Sequence, residues 1–304
     1  TNDAGKSRTC THFFNRTIRM ISGISQKGIK MKLATVPVLI FSLFCGVAHS
    51  APAVTDLKWA QVLDAEHRSE QNRSRDQYRH PLQTLIFFGV QPCDTVVELW
   101  PGGGGWYTEV LAPIVSDCGK LYTAQFAKDS EVAFYSKARA SFEAKLAAAP
   151  AVYGKVELTT LQPPTYSEIA PAGTADKVLT FRNVHNWLKA GVAEDVFAAA
   201  FKALKPGGIL GVVEHRADAD ASLEMMVSSG YVSEKMVIAL AESAGFLLLD
   251  SSEINANSKD NHRHPKGVWT LPPSLRLGDK DREKYLAIGE SDRMTLKFGK
   301  PVHE

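Results

Sequence analysis

The chain has 304 residues, 44% of them hydrophobic and 22% charged, which excludes collagen, low-complexity disorder and a polytopic membrane protein. Four cysteines are too few for a disulfide-built scaffold, and no Cys/His run has zinc spacing. Residues 1–50 hold seven of the 35 Lys and Arg and one of the 33 acids; the 28 basic and 32 acidic residues left give 51–304 a net −4, so no nucleic-acid partner is expected.

Met31-Lys32 opens a short basic segment, and Leu33 to Val47 is an uncharged apolar run. Ala48 and Ser50 then stand at the −3 and −1 positions of a cleavage site. Residues 31–50 therefore read as a signal peptide, and residues 1–30 as an upstream extension outside the native protein. The apolar run is shorter than the ~20 residues a membrane-spanning helix needs. A periplasmic or secreted protein without a stable membrane anchor is expected.

Residues 51–304 fit a single α/β domain. Ala60–Ser69 and Arg75–Phe88 show helical apolar spacing. Strands are expected at Thr95–Leu99, Lys120–Phe126, Val156–Leu161, Lys177–Phe181, Ile209–Glu214 and Phe246–Ile254. The helices between them are expected at Trp106–Val115, Ser130–Ala149, Ala193–Leu204 and Glu234–Ala244. Lys205-Pro206-Gly207-Gly208 reads as a stop-and-turn. This alternation predicts a doubly wound, mostly parallel sheet preceded by helices. Residues 255–289, rich in polar residues and Pro, read as a lid over a functional site with Trp269 packed beneath it. Met294–Phe298 reads as a returning edge strand.

Cys93 and Cys118 each stand two residues before one of the first two strands. If those strands are parallel neighbours, ~4.8 Å apart, both cysteines stand at one edge of the sheet with Cα atoms in the ~4.4–6.8 Å range of a disulfide. A disulfide is expected in an oxidising compartment, with two unpaired buried thiols as the alternative.

Where the first strand turns into a helix, the sequence runs Glu98-Leu99-Trp100-Pro101-Gly102-Gly103-Gly104-Gly105-Trp106-Tyr107. Glycines here admit a ligand close to the backbone. A dinucleotide fingerprint fails because Tyr107 or Thr108 fills the place of its third glycine, and no Lys follows to make a phosphate loop. S-adenosylmethionine fits the acid at the strand end and the glycines after it. A tight turn with a purely structural role is the alternative.

Further marks are Arg79-His80-Pro81, Phe181-Arg182-Asn183-Val184-His185-Asn186-Trp187, Leu204-Lys205-Pro206-Gly207-Gly208, Gly267–Pro273 and Gly289–Leu296. With the Trp-Pro-Gly-Gly turn, they make residues 57–301 resemble class I S-adenosylmethionine-dependent methyltransferases, in particular a group of bacterial methyltransferase-like proteins, many of them exported. The resemblance implies a Rossmann-like methyltransferase sheet, S-adenosylmethionine as cofactor and methyl transfer to a small-molecule acceptor. It places cofactor contacts at Glu98, Pro101, Gly102, Gly104, Trp106, Tyr107, Gln125 and Asn183. Trp100 and Gln125 depart from the pattern: one replaces its first glycine, the other the acid expected to hold the ribose hydroxyls. An exported small-ligand-binding protein that keeps the fold without the activity is therefore the second reading. Asp129 is a candidate substitute for the missing acid.

Ligands of such sheets lie beyond the carboxyl ends of the strands. The catalytic candidates there are His185, Asn183 and His215, with His185 as general base. Arg216 is a candidate anion grip or an ion-pair partner of Glu214 or Asp218, and Arg79 a salt-bridge partner. No metal is expected, since His262, His264 and Asp260 read as a solvated loop.

Overall fold

The structure, a computed structural model, describes residues 54–302. The segments expected to be a signal peptide and an upstream extension fall outside the described residues. Among those described, no helix is long and apolar enough to cross a membrane.

Eight strands follow in chain order: β1 Thr95–Leu99, β2 Lys120–Gln125, β3 Val156–Thr160, β4 Ala175–Phe181, β5 Leu204–His215, β6 Leu247–Ser252, β7 Pro265–Val268 and β8 Arg293–Gly299. Seven form one sheet in the order β3-β2-β1-β4-β5-β8-β6, with β7 outside it. The pairs from β3 to β5 are parallel, and β8 runs antiparallel to both β5 and β6. Alternate residues serve opposite faces, as the pleat requires. Val97, Tyr122, Val178 and Val212 join one apolar core; Val96, Leu121, Leu179 and Val213 join the other. Burial on both faces explains why these strands are nearly continuous apolar runs.

Local chemistry sets the helix ends. Leu223–Ser229 and Glu234–Ser243 start where Ser222 and Ser233 accept the Met225 and Met236 N–H groups. The predicted helix Arg75–Phe88 is divided into Asp76–Arg79 and Pro81–Phe87. Pro81 forbids a helical conformation at the residue before it, and His80 adopts φ 40°.

Two further expectations are corrected. The Lys205–Gly208 segment does not precede β5 but lies within it, across a register jump between Ala175↔Leu204 and Lys177↔Ile209. The last strand is interior, with β6 at the edge. The alternation Met294-Thr295-Leu296-Lys297-Phe298 imitates a half-solvated strand, yet its polar residues have partners inside. Thr295 is 1% exposed and receives a hydrogen bond from Asn255 Nδ2. Lys297 Nζ reaches the Phe87 carbonyl oxygen and lies over the Phe87 ring.

The register pairs Thr95 with Lys120, and the Cys93–Cys118 disulfide is present, with Cα atoms 4.7 Å apart. It closes the amino edge of β1 and β2, opposite the end where the strand order reverses. That reversal lies between β1 and β4, the switch point at which doubly wound sheets open a crevice.

Candidate active site

A cavity of about 270 Å³ occupies the crevice, at the small end for ligand pockets. Its walls include Glu98, Trp100, Pro101, Gly102, Trp106 and Tyr107 from the first turn, and Arg182, Asn183, His185 and His215 from the ends of β4 and β5. Trp269, Pro272, Pro273, Glu290 and Ser291 close it from the segment between β6 and β8.

The first turn is shaped by an exception. Trp100 takes φ 44°, a left-handed conformation that glycine adopts without strain. Its Nε1 donates to the Leu161 carbonyl at 2.8 Å, and its ring packs on Phe126 and Trp187. Packing thus supports a conformation usually left to glycine. Gly102 has φ 70°, and a Cβ built on it would meet no atom within 4 Å; the space beside it is open to a ligand. Gly104 is exposed, its carbonyl accepts a bond from Lys145 Nζ, and it is not among the residues lining the cavity.

Gln125 also lies outside that lining. Its Nε2 donates to the Gly102 carbonyl and its Oε1 accepts the Phe126 N–H, so the amide braces the turn. Asp129 is exposed. Glu98 is buried and accepts a 2.6 Å bond from Thr108 Oγ1. Burial pushes its pKa from 4.5 up to about 7, against that hydrogen bond and Lys145. Tyr107 stacks on Phe181 and donates to the Arg79 carbonyl.

The opposite rim is polar. Asn183 Nδ2 donates to the carbonyl of Leu99 at 3.0 Å and to Thr180 Oγ1 at 3.2 Å, tying β4 to β1 across the crevice. Glu214, fully buried at the end of β5, receives the N–H groups of Val184 and His215. It also pairs with His185 Nδ1 at 3.0 Å. A carboxylate oxygen accepts here, so Nδ1 carries the ring proton and Nε2 is left as the basic nitrogen. His215 Nδ1 pairs with Ser291 Oγ, and the two imidazole rings lie 5.4 Å apart. Burial, followed by the charge of His185, Arg182, Arg293 and Arg79, pushes His215 well below the usual histidine range.

His185, Glu214 and His215 place one potential metal-ligand atom each within 4.8 Å of the others. Sequence reading looked for a metal group only at His262, His264 and Asp260, which the structure ties internally: His264 to Asp260, and His262 to Asp218 and Asp292. Asp260 also accepts from Tyr231 and from the Asp292 N–H, fixing the segment above the cavity. Trp269 packs edge-on against His185, under the Arg276 guanidinium. Arg216 is consumed by Glu234, Glu253 and Asp292, and not by Glu214 or Asp218.

Sequence reasoning gave no role to Arg182, Glu290 or Ser291. Arg182 and Glu290 belong to one ionic cluster. Glu290 pairs with Arg75 Nε at 2.6 Å, Arg79 Nε at 3.4 Å and Arg293 Nη2 at 2.6 Å, and Arg79 lies over the Trp106 ring. Burial raises the Glu290 pKa, but Arg293, Arg79, Arg182 and Arg75 outweigh it and hold the carboxyl at about 2. The only signals were the Glu290-Ser291-Asp292-Arg293 run and an arginine at a strand end, and their meeting depends on tertiary structure.

No protein-family model matches the chain, and no curated relative matches its sequence. Solved structures do resemble it. A SAM dependent methyltransferase from Aquifex aeolicus aligns over 74% of this chain and 92% of its own, with 16% identity and a TM-score of 0.50. The cyclase SpnF aligns over 83% and 98%, with 15% identity and a TM-score of 0.51. The chain has the class I S-adenosylmethionine-dependent methyltransferase fold. One of these two neighbours is named for a cyclisation, so the reaction must be argued from the cavity itself.

Proposed function

We propose that the protein transfers a methyl group from S-adenosylmethionine to a small-molecule acceptor. The observation that carries this reading is one cavity at the β1/β4 switch point, bounded by an open glycine turn on one side and a carboxylate-oriented histidine on the other. The cofactor would be held among Glu98, Gly102, Trp106, Tyr107 and Asn183, where the missing side chain of Gly102 leaves room against the backbone. When bound, it supplies an electrophilic methyl group and departs as a neutral thioether. The protein's own contribution is positional and basic. Asn183 holds the two halves of the crevice in register, aromatic walls exclude water, and His185 Nε2 takes the proton from an acceptor hydroxyl, amine or thiol. Glu214, through its bond to Nδ1, fixes the ring and favours the imidazolium that forms. Periplasmic or secreted location is part of the proposal, supported by the Cys93–Cys118 disulfide.

Calorimetric titration of the full chain with S-adenosylmethionine and S-adenosylhomocysteine tests the reading. Binding is expected at micromolar ligand, and absence of heat at millimolar ligand would discard it.

A further inference from the structure

We propose that the methyl acceptor is a small acid, and that Arg182 binds its carboxylate or phosphate. This rests on the methyltransferase reading above and adds to it the chemical class of the substrate.

Arg182 follows directly on β4 at φ 63°, a left-handed conformation that costs a non-glycine residue roughly 1–2 kcal/mol. Its N–H donates to the Val213 carbonyl at 2.7 Å, which fixes the residue at the rim. The side chain lines the cavity. Among the described residues, no hydrogen bond or ion pair engages its guanidinium, and burial lowers its pKa only to about 10. It therefore remains charged at neutral pH.

Among the described residues, the one acid whose charge acts on Arg182 is Glu290, and it is shared. Arg75, Arg79 and Arg293 share the one carboxylate of Glu290, and Arg182 belongs to the same electrostatic cluster. Four guanidinium groups against one carboxylate leave a formal excess of three positive charges. Arg182 is half-buried, and two donor atoms of its cluster, Arg75 Nη2 and Arg79 Nη1, are buried without partners. Uncompensated buried charge is costly, on the order of several kcal/mol per ion. An anionic ligand removes that cost by entering the cavity.

A metal cation is the competing occupant, since His185, Glu214 and His215 are close enough to ligate one. The same charges argue against it. Both oxygens of Glu214 already accept protein donors, and the excess of arginines repels a cation. The anion is assigned to the acceptor because the Arg182 backbone is held by Val213 of β5 and its charge acts on Glu290 and His215. Tyr107 of the turn wall also lies within its electrostatic reach, so the cofactor is kept as an arm of the test. The glycine turn, where the cofactor fits, lies on the other wall. Trp269, which lines the cavity beside His185, offers the acceptor an aromatic surface.

The test uses the full chain loaded with S-adenosylhomocysteine, titrated with inorganic phosphate, benzoate and its neutral isostere benzamide. Benzoate is expected to bind at least about tenfold more tightly than benzamide. Arg182→Gln is expected to weaken phosphate and benzoate by a similar factor while S-adenosylhomocysteine affinity changes less than about threefold. Equal affinity for benzoate and benzamide in the wild type overturns the proposal whether or not the variant folds. So does a wild type that binds neither anion at tens of millimolar. A loss of about tenfold or more in S-adenosylhomocysteine affinity on Arg182→Gln would assign the arginine to the cofactor's own carboxylate, overturning the acceptor assignment and leaving the methyltransferase reading intact. If S-adenosylhomocysteine does not bind the wild type at all, that reading fails, and the anion titrations run on the unloaded chain judge Arg182 separately.

Discussion

The two walls of the cavity are built on different principles. The β1 wall is a local product: the residues that shape it lie mainly between Glu98 and Tyr107, and its one carboxyl is turned inward onto Thr108. The β4–β5–β8 wall is assembled from distant segments, with Arg75 and Glu290 meeting across 215 positions of sequence. The first wall offers backbone and aromatic surface, whereas the second concentrates charge and imidazole. Under the proposed function, the first wall holds the cofactor and the second selects its partner.

The contrast breaks most severely at Glu290. Glu290→Ala leaves Arg75, Arg79 and Arg293 without their shared carboxylate and is expected to cost about 3–5 kcal/mol, read from urea unfolding. The pH dependence has a definite sign. The folded carboxyl titrates at about 2 against its ordinary 4.5, so the unfolded chain takes up its proton first. The contribution is complete above 4.5 and lost as pH falls from there towards 2. In Glu290→Gln the acid-induced loss across that window should flatten.

The β1 wall has its own support in the Cys93–Cys118 bond. Replacing both cysteines by alanine should cost about 3 kcal/mol in the loop-entropy picture, seen as a lower melting temperature. Two free thiols per chain in denatured, unreduced protein would refute the bond itself.

A smaller effect separates two glycines of one turn. Gly102→Val places a branched side chain in the open space at φ 70° and should weaken S-adenosylhomocysteine binding about tenfold or more. Gly104→Val, at an exposed site where an added Cβ meets nothing within 4 Å, should change affinity and stability by less than about 0.5 kcal/mol. Equal losses at both sites would place the ligand across the whole turn and erase the distinction.

This asymmetry also explains what the sequence made legible. Thr95–Leu99 was readable residue for residue, because a buried strand followed by a glycine run has few other interpretations. Glu98, Gly102, Asn183, His185 and His215 were readable as cavity residues because strand ends of this fold converge there. The family resemblance placed Gly104 and Gln125 at the cofactor; both lie outside the lining of the cavity, Gly104 exposed and Gln125 bracing the Gly102 carbonyl. Arg182 and Glu290 drew no assignment since their significance is a ratio of charges, created when α-helical, strand-end and loop segments meet. The interior place of β8 was hidden for a related reason: its polar residues have partners far away in sequence.

That interior place has a consequence for the order in which the protein is made. Residues 293–299 are synthesised after every other strand of the sheet, yet they are inserted between β5 and β6. Until they are in place, β6 has no strand to join and the outer edge of β5 stays unpaired, open to other chains. A stop codon just before Arg293 would therefore remove the strand that joins β5 to the edge strand β6 and release a molecule with both of those edges raw.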